Sequence, residues 1–213
     1  EYRAYKLKKR IKMKNILEVC LSPDLGGLEI HVKDLTKFLG VKAILNPKGK
    51  VKELFTKEYI NFETIGRYSF IKLAQIIDEN KIDVVHINWT KDIPIAVLAK
   101  LISKQKPKIV QTRNMNMTRF KDDFYHKFLY KNISTIVGIS AKVSEQLNKF
   151  IPQDVRPKII TWYSGVPKPI LIDENRKKEL KDSFGIKDEF IVCIVARIHQ
   201  QKGQHIVLEA VEK

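Results

Sequence analysis

Residues 16–39 read ILEVCLSPDLGGLEIHVKDLTKFL and hold three patterns in succession. Residues 16–21 form a short apolar run that reads as a buried strand, and residues 22–27 bring a proline and two glycines. Leu28, Val32, Leu35 and Leu39 then recur at helical spacing. Strand, glycine turn and helix in that order open a βαβ unit, which requires a parallel sheet covered by helices.

The alternation continues along the chain. Strand-like runs at 41–45, 61–65, 83–87, 108–112, 135–139 and 158–162 are separated by helical segments at 51–58, 70–79, 93–103, 121–131 and 141–150. Ser140 is an N-cap for the last of these, its hydroxyl accepting from an N–H of the first turn. Residues 165–173, GVPKPILID, break the pattern before a charged helix at 174–183, a strand at 190–195 and a helix at 204–211. The expected organisation is a basic appendage (1–12), a Rossmann-like domain (13–165), a linker (166–173) and the start of a second domain (174–213), with too few elements to complete a second sheet. Met13 reads as the natural start.

Composition narrows the functional classes. The 213 residues include 40 Lys plus Arg and 24 Asp plus Glu, a net charge of +16, with 44% hydrophobic residues. These are globular proportions. The longest apolar run, 190–196, is far short of the ~20 residues that span a bilayer. Cys20 and Cys193 lie in apolar runs without metal-ligand spacing and read as buried free thiols in a reducing cytosol. Positive charge permits attraction to nucleic acid, an anionic membrane or phosphorylated substrates. No RNA-binding RNP pattern occurs, so specific nucleic-acid binding has no support beyond charge.

In open parallel sheets ligands bind beyond the carboxyl ends of the strands. Four loops there carry chemistry. Gly26 and Gly27 allow close backbone approach to a phosphate at a helix N-terminus, and Glu29 closes that loop. In His86-Ile87-Asn88-Trp89-Thr90 the histidine can orient a hydroxyl or move a proton, and the tryptophan offers a face to a sugar ring. After residues 108–112, Arg113 and Arg119 can hold a phosphate or carboxylate. In RIHQQKG, residues 197–203, Arg197 and Lys202 flank a strand-to-helix turn and form a diphosphate clamp. HExxH, GxSxG, the Walker sequence and GxGxxG are all missing, which argues against a zinc protease, a serine hydrolase, a P-loop enzyme and a dinucleotide-dependent epimerase.

The segments SPDLGGLEIHVKDLTKFL, DVVHINW, TIVGISAKVSEQL, IITWYSGVP and IVARIHQQKGQHIVLEAV, in this order, resemble glycosyltransferase family 4, the retaining GT-B enzymes. The resemblance covers about residues 13–213 and implies two Rossmann-like domains, the N-terminal one for the acceptor and the C-terminal one for the sugar nucleotide. It implies that Arg197 and Lys202 neutralise the departing donor diphosphate without a metal or cofactor, with Gly26 and Gly27 approaching the donor phosphates. Acceptor-side candidates are Glu29, His86, Asn88, Trp89, Arg113, Asn114 and Arg119. Asn114 stands where many members carry a histidine that contacts the reacting sugar, and His126 is no obvious replacement. The paired-glutamate segment of the family would lie beyond Lys213, so the chain reads as a fragment, inactive alone. The implied substrates are a UDP-, GDP- or ADP-sugar and a cell-envelope glycan, such as lipopolysaccharide or a lipid-linked oligosaccharide, made by a cytoplasmic enzyme at an anionic membrane surface.

Overall fold

The structure, a computed structural model, describes residues 14–165, 168–187, 189–196 and 198–212. Internal contacts divide the chain into two units after Gly165. In the first, strands β1 Ile16–Cys20, β2 Lys42–Leu45, β3 Phe62–Thr64, β4 Val84–Ile87, β5 Lys108–Arg113, β6 Thr135–Gly138 and β7 Lys158–Thr161 form one sheet in the order β3-β2-β1-β4-β5-β6-β7. Every pairing is parallel. The observed strand ends differ from the sequence expectation by one residue at most.

Helices α1 Gly27–Leu39 and α2 Lys52–Lys57 join the strands that run leftward from β1, while α3 Phe70–Glu79, α4 Ile93–Ile102, α5 Phe124–Lys131 and α6 Ala141–Phe150 join those that run rightward. Right-handed crossovers therefore put the two sets on opposite faces. The core divides accordingly. Cys20, Val32, Ala43, Leu45 and Phe55 cluster beneath α1 and α2. Leu17, Val19, Val85, Ile109, Ile136 and the inner faces of α3 to α6 form the larger cluster.

Local chemistry explains the helix ends. Gly40 terminates α1 in the left-handed conformation, φ +65°, with its N–H on the carbonyls of Thr36 and Lys37. Helix α5 starts three residues later than expected because the Asp123 carboxylate caps it, accepting from the His126 N–H at 3.0 Å. The inward stripe of α1 is also rotated: Glu29, Val32 and Thr36 are buried, whereas Leu28, Leu35 and Leu39 are only half-buried. Ser140 caps α6 as expected, its Oγ accepting from the Val143 N–H at 3.3 Å. Ser140→Ala is expected to lower folding stability by about 1 kcal/mol, read from the urea midpoint.

The second unit contains α7 Glu174–Ser183, a 3-10 turn at Gln200–Lys202 and α8 Gln204–Val211. Residues 190–195 do not form the expected strand. An apolar run becomes a strand only when neighbouring strands accept its N–H and C=O groups, and the described residues of this unit supply none. Cys193 is accordingly exposed, contrary to the expectation of a buried thiol, while Cys20 is buried. Among the described residues no helix is long and apolar enough to cross a membrane.

Candidate functional site

The chain leaves β1 leftward to β2 and later returns to β4 on the other side of β1, so the strand order reverses between these two neighbours. At such a reversal in an open parallel sheet the loops diverge at the carboxyl ends of the two strands, here β1 and β4, and ligands bind in the crevice between them. The turn after β1 delivers Gly26 and Gly27 to it. Gly26 has extended backbone and α1 starts without a side-chain cap, so no side chain of the cap residue takes up its first amides. A Cβ placed on Gly27 would meet nothing within 4 Å, so this side of the turn is open.

Behind the turn lies a buried polar row. Register pairs Glu18 of β1 with His86 of β4, and the His86 Nδ1 lies 2.7 and 2.9 Å from the two Glu18 carboxylate oxygens. Its Nε2 lies 2.8 Å from the Thr112 Oγ1 on β5. A carboxylate only accepts, so Nδ1–H donates to Glu18, and Nε2 pairs with the Thr112 hydroxyl, which can donate or accept. His86 therefore does not emerge into the loop to meet a sugar. Both ring nitrogens are engaged by side chains of the adjoining strands. Glu18 also accepts from Asn88 Nδ2 at 3.2 Å, which fixes that amide and leaves Asn88 Oδ1 buried without a partner.

A second buried carboxylate links the two loops. Asp92 Oδ2 accepts the Leu21 N–H at 3.0 Å, tying the end of β1 to the turn that starts α4. Burial pushes the Asp92 carboxyl from 3.8 up to about 7, against the lowering effects of the Leu21 N–H and Arg67. Burial also raises the Cys20 thiol to about 12, and the charges of Asp92, Glu29 and Glu18 add to the rise. Cys20 is thus a packed, unreactive thiol. Among the described residues no group of three or more His, Cys, Asp or Glu side chains is arranged to hold a metal.

Asn88 Oδ1, Asp92 Oδ1 and Asn114 Nδ2 are buried polar atoms with no partner among the described residues. Asn88 and Asn114 directly follow β4 and β5, Asp92 ends the turn before α4, and each of the three atoms is a buried polar group that a further hydrogen bond would satisfy. The other candidates are placed differently. Trp89 does not present a bare face to a sugar: Arg67 and Lys91 each lie over its ring, 5.3 Å from the centroid, and it packs against both core clusters. Arg113 is spent within the loops, donating to Thr90 Oγ1 at 2.6 Å and to the carbonyls of Met115 and Asn116 at 2.8 and 2.9 Å. It acts as a staple between the loops after β4 and β5 and not as an open anion clamp.

Arg119 is exposed on a segment running along α6 away from the strand ends, since Met117 N–H binds Gln146 and Lys121 N–H binds the Phe150 carbonyl. His126 is held by Asp123 at 2.5 Å and stacks on Tyr130. In the second unit Lys202 is exposed in the turn before Gly203, whose φ of +72° starts α8. Arg197 lies outside the described residues. Sequence reasoning missed Glu18, Thr112, Asp92, Arg67 and Lys91. A single acid within each apolar context was the available signal for the first and third.

A family profile described as glycosyl transferase 4-like matches residues 18–140, more than half of the chain. The chain belongs to the glycosyl transferase 4-like family. The match takes in the turn at Gly26–Gly27, the Glu18–His86–Thr112 row and the loops after β4 and β5. Solved glycosyltransferases share the fold. Anabaena HepE in complex with UDP and glucose superposes with a TM-score of 0.75 at 18% identity, over 93% of this chain and 58% of that one. A glycosyltransferase from Rickettsia africae gives 0.70 at 20% identity, over 94% and 57%. The lipopolysaccharide outer core galactosyltransferase WaaB, in its apo form, gives 0.56 at 15% identity, over 75% and 48%. The chain therefore spans less than three-fifths of the length of these proteins. No curated protein matches it in sequence. The Rossmann-like α/β sheet is that of the GT-B glycosyltransferases.

Proposed function

We propose that this protein acts in glycosyl transfer from a nucleotide-sugar to a cell-envelope glycan acceptor, a lipopolysaccharide or a lipid-linked oligosaccharide. The observation that carries the reading is the family match across residues 18–140, which includes the crevice at the strand reversal. Residues 13–165 serve as the acceptor-side domain, 166–173 as a linker and 174–213 as part of a donor-binding domain. UDP leads GDP and ADP as the nucleotide because HepE is solved with UDP and with UDP-glucose. The reaction takes place at the cytoplasmic side of the membrane.

The chemistry follows from charge. Breaking the bond between the anomeric carbon and the β-phosphate oxygen leaves negative charge on the nucleoside diphosphate, and fixed cations there stabilise the departing group. Arg197 and Lys202 take this role without a metal, and Gly26 and Gly27 bring backbone amides to the donor phosphates. The acceptor hydroxyl oxygen bonds the anomeric carbon on the face that the diphosphate leaves, which retains configuration, and its proton passes to the departing β-phosphate oxygen. Asn88 and Asn114 offer their unpartnered amide atoms to acceptor hydroxyl groups, and Glu29 lies in the first turn of the helix that follows the two glycines. An amide at Asn114 binds a hydroxyl but accepts no proton from it.

The test uses the protein at its natural length. Acceptor-dependent release of one nucleoside diphosphate is expected from a panel of UDP-, GDP- and ADP-sugars. Arg197→Ala and Lys202→Ala should each reduce kcat by about 10²–10³-fold, the usual effect of removing one stabilising donor. Normal turnover in both variants would refute their role.

A further inference from the structure

At the β3 edge of the sheet, the loop after β2, helix α2 and β3 line a cavity of about 670 Å³. Four lysines face it: Lys48 and Lys50 from the loop, Lys52 and Lys57 from α2. Glu53 is the one acid of the lining, so the cavity carries a net charge of +3. The next carboxylates along the chain are already used. Glu58 pairs with Lys33 and Lys37 at 2.6 and 2.8 Å, and Glu63 pairs with Lys42. Among the described residues no carboxylate pairs with any of the four cavity lysines, and the Lys52 Nζ donates to the Pro47 carbonyl. Like charges gathered without counter-charges raise the local potential and attract an anion.

The loop that supplies two of these lysines is fixed by its own hydrogen bonds. Asn46 Oδ1 accepts the Lys48 N–H, the Asn46 carbonyl accepts the Gly49 N–H and Asn46 Nδ2 donates to the Leu21 carbonyl, each at 2.9 Å. The Lys50 N–H reaches the Pro23 carbonyl at 3.3 Å. A Cβ on Gly49 would lie 3.0 Å from the Ser22 carbonyl oxygen and 3.1 Å from that of Asn46, so a larger residue would push the loop off the turn after β1. Lys48 and Lys50 therefore stand at set backbone positions beside the turn that carries Gly26 and Gly27, which lowers the cost of ordering them around a ligand. The volume is that of a small-molecule site, ~300–1,000 Å³, and exceeds what one inorganic anion fills. The rest of the lining identifies what else the ligand carries. Thr56 and Thr64 supply hydroxyl groups. Phe62, half-buried and held edge-on to Phe55 with ring centroids 5.7 Å apart, supplies apolar surface. Cations, hydroxyl groups and one aromatic surface together match a saccharide bearing phosphate or carboxylate groups.

We propose that this cavity binds an anionic saccharide, one that carries two or more phosphate or carboxylate groups. Its place in the reaction rests on the proposed glycan acceptor, of which it holds a charged sugar beside the crevice. The test reads binding alone, so either reading can fail without the other. Calorimetric titration of the full chain uses fructose 1,6-bisphosphate and trigalacturonic acid, with maltotriose as the neutral saccharide and sulfate as the bare anion. Binding of at least one anionic saccharide is expected, and which of them binds separates phosphate from carboxylate. Its Kd should rise by about tenfold or more in Lys48→Gln/Lys50→Gln and in Thr56→Glu, which sets a charge of the wrong sign in the lining. Lys72→Gln/Lys131→Gln removes the same charge from exposed sites on α3 and α5 and should bind like the parent. All of the substituted residues are exposed, and circular dichroism verifies folding. The proposal is overturned if neither anionic saccharide binds, if maltotriose or sulfate binds as tightly, or if the two lysine double variants weaken binding equally.

Discussion

Glu18→Ala is expected to cost about 3–5 kcal/mol of folding stability, because it strips the acceptor from two buried donors at once and leaves a cavity. The donors are His86 Nδ1–H and Asn88 Nδ2, and Glu18 itself has no exposed surface. Water cannot replace the carboxylate without entering the sheet. Glu18→Gln keeps the volume and one carbonyl oxygen, so its cost should fall to about 1–2 kcal/mol, the price of mispairing one amide hydrogen. Urea unfolding at fixed pH separates the two variants. A loss under 1 kcal/mol for Glu18→Ala would show that the row carries little of the stability. The same substitution has a functional reading, since Glu18 aims Asn88. Glu18→Gln should therefore weaken ligand binding at the crevice more than its modest stability cost implies.

This row marks where sequence reasoning stops. Seven apolar runs were legible because strands buried on both faces require nearly continuous apolar sequence, whatever their neighbours. Glu18 and His86 each interrupt such a run, and a charged residue in a doubly buried strand implies a partner. What the sequence does not contain is the register that brings residues 68 positions apart onto adjacent strands. Trp89 shows the same limit from the other side. Its place after β4 pointed to a sugar platform, but Arg67, on a loop 22 residues earlier, takes part of the ring surface. The run at 190–195 failed for a related reason. Apolarity permits a strand, and only hydrogen-bonding neighbours make one. The apolar character of α4 was evident, whereas its outward Leu98, Leu101 and Ile102 became visible only with the helix packed.

The second large effect is a pH dependence centred on Asp92. Its carboxyl is wholly buried and raised from 3.8 to about 7, chiefly by burial. The folded state therefore holds a proton that the unfolded chain has released, and stability falls as pH rises between about 4 and 7. That change corresponds to on the order of 4 kcal/mol, fully present below pH 4 and lost above pH 7. Carboxylates with lowered values, such as Asp78 and Asp123, act in the opposite direction but below that window, where protonation removes their contribution. Asp92→Asn is neutral at every pH and its Oδ1 can still accept the Leu21 N–H, so the variant should lose most of the slope and exceed the parent in stability at pH 8. Denaturation midpoints at pH 5 and pH 8 give the comparison, and equal slopes in parent and variant would place the titrating group elsewhere. Asp92→Ala, which also releases Leu21, should destabilise at both pH values. The contrast isolates two roles of one carboxylate: its hydrogen bond fixes the end of β1 beneath the Gly26–Gly27 turn, and its buried charge makes the stability of that arrangement pH-dependent.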